Sequence, residues 1–255
     1  MEQPGAGADA EQARVFRLGF VPGATPAKWG RVFTARHPEV RLELVPVPAA
    51  AAERAVRAGE LDAAVLRPPV DREALHAVSL YVEESVVVVD REHLLAALEE
   101  HETVAHADLA EEVLLRPADD VLHWAGEPGA AEDALPPPGC PAAIVPATTK
   151  EAVELVAAGV GVLVVPRSLA RLHHRKDVTA RVLEGAPPGP VVLAWLRANE
   201  DPLVEDLVGI VRGRTVNSSR GVRGTVPQEQ RARRRPDDAA PPRRGRRAAG
   251  RGRRR

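Results

Sequence analysis

The chain has 255 residues, 44% of them apolar and 3% aromatic. That is enough for one large domain or two small ones with a core of Val, Leu and Ala. Cys140 is the single cysteine, which excludes an internal disulfide. No apolar run approaches the ~18 residues of a membrane span, and "MEQPGAGADAEQAR" has neither the basic start nor the apolar stretch of a secretory leader, so a reducing cytoplasm is expected. The net charge of −1 hides two opposed parts: residues 212–255 hold sixteen Arg and three acids (+13), and residues 1–211 hold nineteen basic and thirty-three acidic residues (−14).

Residues 1–13 are small, polar and Gly-rich and predict disorder. "VFRLGFV", Val15 to Val21, alternates as a strand and ends at Pro22-Gly23. "TPAKWGRVFTARHPEV" predicts a helix, with Thr25 as N-cap, Pro26 at the first position, and Trp29, Val32 and Phe33 on one face. "RLELVPV" reads as a strand, "AAAAERAVRAGEL" as a helix closed by Gly59, and "DAAVLR" as a third strand. This β-α-β-α-β order predicts a parallel sheet with covering helices. "ESVVVVDREH" is a very apolar strand, followed by short pieces in "EHLLAALEEH" and "VAHADLAEEVLL".

Residues 117–142 are Pro-rich and irregular. "TTKEAVELVAAGVGVLVVP" then gives a helix, a Gly turn and a buried strand. "RSLARLHHR" predicts a short helix, "VTARVLE" and "PVVLAWL" two strands, and "DPLVEDLVGIVRG" a final helix capped by Asp201. Residues 212–255 lack an apolar period and predict a disordered tail.

Catalytic signatures are absent from the sequence. It has no G-x-S-x-G, phosphate-binding loop or H-E-x-x-H, and Gly159-x-Gly161 lacks the third glycine of a dinucleotide fingerprint. His173-His174 point about 100° apart on a helix, which suits a solvated face better than a shared metal. Glu83-Glu84 read as solvated surface. No cofactor, metal or catalytic residue is expected. What remains are small residues and hydroxyls at helix starts, Gly23-Ala24-Thr25 and Thr148-Thr149. Unpaired N–H groups and a partial positive charge there suit an acidic ligand. Simple N-capping is the competing reading, with one of the two threonines capping and the other left free.

Five passages, in order, carry a resemblance. They are "FRLGFVPG"; "FTARHPEVRLELVPV" with Phe33, His37-Pro38 and Val40; "AAERAVRAGELDAAVLRPP" with Gly59, Leu61, Asp62 and Ala63; "DREHLLA…VAHADLAEEVLL" with Asp108-Leu109; and "TTKEAVELVAAGVGVLVVPRSLA". Over residues 15–211 the chain resembles the effector-binding domain of LysR-type transcriptional regulators, a fold shared with type 2 periplasmic solute-binding proteins.

The resemblance implies two Rossmann-like α/β subdomains joined by two crossover strands, with residues 14–84 and 178–211 in the first and 85–177 in the second. It implies a small-molecule effector, a carboxylate among the candidates, held between them by Pro22, Gly23, Thr25, Ala49, Arg67, Thr148 and Thr149. It also implies a homodimer. The first strand begins near Val15, so the family's N-terminal helix-turn-helix is not expected in this chain. Pro48-Ala49-Ala50 stands where relatives place a polar effector contact.

Three functions stay open: a LysR-like regulatory protein, a cytoplasmic solute-binding protein, and an enzyme on the same scaffold. The tail, with Arg233, Arg234, Arg235, Arg243, Arg244, Arg246 and Arg247, suits non-specific contact with a nucleic-acid backbone. A solubilising extension, or a mask over the acidic body, is the alternative.

Overall fold

The computed structural model describes residues 14–99 and 101–213. The tail arginines and residues 1–13 lie outside the described residues.

Alternating apolar residues and helical periods settle into two sheets. The first contains β1 (Val15–Phe20), β2 (Arg41–Pro46), β3 (Ala63–Leu66), β4 (Leu75–Glu83) and β11 (Gly189–Leu196), in the order β2-β1-β3-β11-β4. β1 runs parallel to β2 and β3, and β11 runs antiparallel to β3 and β4. The second contains β5 (Ser85–Asp90), β6 (Thr103–Val104), β7 (Val113–Leu115), β8 (Cys140–Pro141), β9 (Val162–Pro166) and β10 (Val178–Leu183), in the order β6-β10-β5-β9-β7-β8. Five helices cover them: α1 (Ala27–Arg36), α2 (Ala49–Arg57), α3 (Thr149–Ala157), α4 (Arg167–Leu172) and α5 (Pro202–Val211).

The chain passes between sheets twice, once at Glu84 and once between Leu183 and Gly189. Ser85, 4% exposed, ties the two passages together by donating its hydroxyl to the Pro187 carbonyl at 2.5 Å. β10 was expected with the first lobe. It instead pairs antiparallel with β5 from Val178↔Asp90 to Val182↔Val86, so the second passage falls after β10. The sequence around Val178 gives no sign of this, because a strand that crosses and one that stays have the same local pattern.

The run Ser85-Val-Val-Val-Val89 is buried throughout because both faces of the second sheet are covered. Val86 and Val88 join Leu163 and Val165 in a core with α3 and α4. Val87 and Val89 face the other way, with Val162 and Val164, onto Leu109, Leu122 and Trp124. Trp124, 1% exposed, is thus the apolar floor that the irregular segment supplies. In the first lobe, α1 and α5 pack together, and Asp206 of α5 accepts from Arg36 Nη1 and meets His37 Nε2, both at 2.9 Å.

One expectation fails locally. Thr25 does not cap α1: the N-cap is Pro26, with no side-chain hydrogen bond. Residues 75–83, to which the sequence pattern assigns no element, form the nine-residue β4. Among the described residues no helix is long and apolar enough to cross a membrane.

Candidate functional site

The strand-to-helix loops of the two sheets meet at a seam. Pro22-Gly23 turns the chain out of β1, with Gly23 at φ +83°, a conformation costly for a residue with Cβ. A Cβ there would also collide with Oγ of Ser168, near the start of α4. The first lobe's leading loop therefore rests directly on the second lobe.

Arg67, one residue past β3, reaches the same serine. Its Nη2 donates to Glu83 Oε2 at 3.0 Å and to Ser168 Oγ at 3.1 Å, and Ser168 donates to that same carboxylate oxygen at 2.7 Å. The ion pair is withdrawn from solvent, the side chains of Arg67 and Glu83 being 4% and 13% exposed. Nη1 of Arg67 is buried with no hydrogen-bond partner. A side chain at Gly189 would place Cβ 3.2 Å from it, so glycine there leaves room for the guanidinium. Nearby, Tyr81 is half-buried, and burial followed by the Glu83 charge pushes its pKa above the ordinary value. Glu83, expected as solvated surface, is thus the buried counter-charge, and Glu84 pairs with Arg167 at 2.7 Å.

The threonine pair behaves differently. Thr148 caps α3, its Oγ1 accepting from Glu151 N at 3.2 Å. Thr149, expected to keep its hydroxyl free, is 2% exposed and fully engaged. Its N–H and Oγ1–H both donate to Asp119 Oδ1, at 2.6 and 2.9 Å. The protein's own carboxylate occupies the positive end of the helix.

Arg116 organises the loop that presents Asp119 by holding Asp120 at 2.9 Å and Glu127 at 2.7 Å. Burial raises the Asp120 pKa, partly offset by the Leu122 N–H and Arg116. His173 is held below its ordinary pKa of 6.5 by burial, with Asp119 pulling the other way.

The structure therefore joins Gly23 to Arg67 through Ser168, and Thr149 to Asp119. No hydrogen bond or ion pair among the described residues links Thr148, Thr149 or Ala49 to Arg67. Ala49 opens α2 and packs partly against the first core. Pro22 and Thr25 are exposed. Two surface cavities, of about 360 and 730 Å³, lie elsewhere, and none of the expected residues lines either. Reading the sequence missed Glu83, Ser168 and Asp119. For Asp119 a signal existed in "PADD", where Pro117 and two Asp mark a turn able to bond main-chain N–H groups.

Comparison with known proteins gives consistent results. The family model for the LysR substrate binding domain matches residues 9–215. The Hca operon transcriptional activator HcaR of Escherichia coli (strain K12) is 28% identical over 215 residues, covering 80% of this chain and 69% of HcaR. The HTH-type transcriptional regulator AlsR of Bacillus subtilis (strain 168) is 27% identical over 206 residues, covering 76% of this chain and 64% of AlsR. The chain thus spans about two thirds of the length of these relatives. In fold it resembles the BenM effector binding domain solved with its effector benzoate. The TM-score is 0.59 at 22% identity, covering 78% of this chain and 90% of that one.

Proposed function

The chain belongs to the LysR substrate binding domain family, and on that premise we propose that it senses a small carboxylate at the seam between its two sheets. Its role is that of an effector-binding domain in transcription regulation, as the regulator relatives support. The observation that carries the carboxylate reading is Arg67: a buried guanidinium between the lobes whose Nη1 hydrogens lack an acceptor. An effector carboxylate satisfies Nη1 and competes with Glu83 for the fork. That exchange loosens the Glu83–Ser168 contact and changes how the lobes close.

Asp119 already fills the α3 N-terminus, so we place the effector's charged end at Arg67 rather than at Thr148 and Thr149. Those threonines, with Pro22, Gly23, Thr25 and Ala49, form the rim of the proposed site. We divide the body into lobes of residues 14–84 with 189–211, and 85–183. Catalysis is not part of this reading, and the protein is taken to work in the cytoplasm as a homodimer. Light-scattering mass at micromolar concentration tests the dimer, with a monomer mass rejecting it.

The test is a thermal-shift screen with small carboxylates, aromatic acids and amino acids on the wild-type chain, on Arg67→Met and on Thr148→Val/Thr149→Val. A carboxylate hit should vanish in Arg67→Met and persist, weakened, in the threonine variant. A hit that Arg67→Met leaves unchanged places the ligand elsewhere.

A further inference from the structure

β11 runs for eight residues from Gly189, beside Arg67, to Leu196, so its far end stands roughly 23 Å from the seam. A cavity of about 360 Å³ lies there, where β11 ends, β4 begins and α5 closes. Arg72 shortly precedes β4, Arg197 follows β11 and Arg212 follows α5, and all three line the cavity. His76 and Trp195 stand opposite each other on β4 and β11 in the same lining, both half-buried, with their rings 5.5 Å apart. Val208 of α5 adds an apolar wall, and no Asp or Glu lines the cavity.

The three guanidinium groups are placed without being neutralised. Arg197 Nη1 donates to the Arg72 carbonyl at 3.1 Å, and Arg72 Nη1 to the Ala77 carbonyl at 3.0 Å. Arg212 stands at the C-terminal end of α5, whose partial negative charge suits a cation. Asp71, the acid before Arg72 in the chain, is turned to Arg57 at 2.9 Å and also accepts the N–H groups of Glu73 and Ala74. Among the described residues none of the three arginines has a carboxylate partner. Like charges gathered in this way repel one another. An anion that enters relieves the repulsion and gains charge-assisted hydrogen bonds.

The lining also selects among anions. Three guanidinium groups offer more donors than one carboxylate engages, and their fork geometry suits phosphate oxygens. The indole and imidazole beside them suit a flat ring. A volume of about 360 Å³ is within the range of small-molecule sites. Phosphate and planar ring joined in one small molecule describe a nucleotide.

We infer that Arg72, Arg197, Arg212, His76 and Trp195 form a binding site for a nucleoside phosphate, with the base on the indole–imidazole pair and the phosphates on the arginines. The site is separate from the seam and does not rest on the effector reading. It gives the first lobe a ligand of its own.

The test titrates the full chain with ADP, read by isothermal calorimetry and by tryptophan fluorescence. Wild type should bind ADP saturably and show quenching that Trp195→Phe removes, with Trp29 and Trp124 left in place. Arg72→Gln/Arg197→Gln should raise Kd by about tenfold or more. Adenosine and inorganic phosphate should each bind at least about tenfold more weakly than ADP, and benzoate should not displace it.

Circular dichroism and Tm check that the variants fold. If the double variant does not, Arg212→Gln replaces it, since that side chain makes no hydrogen bond among the described residues; it should raise Kd several-fold. Wild type that fails to saturate, or benzoate that displaces ADP, overturns the site. So does ADP binding that the arginine variants leave unchanged, or that leaves Trp195 unquenched, because the nucleotide then sits on other arginines of the chain.

Discussion

Arg67 shows how one buried charge ties stability to sensing. Removing a charge from solvent is costly unless a partner replaces the lost water, and Glu83 and Ser168 do so only for Nη2. Arg67→Met strands the Glu83 carboxylate, so urea unfolding should show a loss of about 3–5 kcal/mol. Arg67→Met/Glu83→Gln should recover part of it; equal losses in the two would mean that the pairing carries no stability.

His173 gives a separate residue-scale prediction. Burial lowers its folded pKa below 6.5 while Asp119 opposes. The unfolded chain therefore takes up the proton first as pH falls. Stability from this residue is full above 6.5, declines as pH drops below that value, and is exhausted once pH passes the folded pKa. Urea midpoints measured across this range should flatten in His173→Gln; an unchanged profile would remove His173 as the cause.

At the scale of elements, α3 ties its own start to the irregular segment before it. Thr148 satisfies one free N–H and Asp119 another, so the helix and the loop around Arg116 are ordered together. Thr148→Val should cost about 1 kcal/mol, and Thr149→Val should cost stability too while freeing the Asp119 carboxylate. Differential scanning calorimetry on both variants tests this, and a neutral Thr148→Val would mean that the cap contributes nothing.

Helix α3, its Gly turn and β9 were legible because a hydroxyl, an apolar period and glycine each have one local meaning. β4 was not. "LHAVSLYVE" alternates imperfectly, its residues are mostly half-buried, and its pairing with β11 shifts register between Val191 and Val192. Its strand character comes from the neighbour, not from its own pattern.

Across the whole molecule, two covered sheets are joined by two short passages, and polar contacts between the lobes include Arg67 on Ser168, Ser168 on Glu83 at 2.7 Å, and His123 Nε2 on the Pro68 carbonyl at 3.3 Å. A ligand that binds this folded arrangement and not the unfolded chain raises stability by about 2.7 kcal/mol at a hundred times its Kd. A true effector should therefore raise Tm with a logarithmic dependence on its concentration. A compound that shifts Tm but fails to saturate in equilibrium dialysis is acting on the solvent instead.

The order of the helices and of the strands other than β4, the all-buried character of the Val86–Val89 run, the caps at Thr148 and Asp201, and the family pattern follow from periodicities and turn chemistry confined to a few neighbouring residues. Those forces act at short range along the chain, so the amino-acid order alone carries them. Partnerships across long separations do not follow from it: Arg67 with Ser168, Thr149 with Asp119, β10 with β5. Burial chooses among the many acids of this chain, and it is set by how the lobes pack. A carboxylate that looked like solvated surface at Glu83 thereby became the counter-charge at the seam.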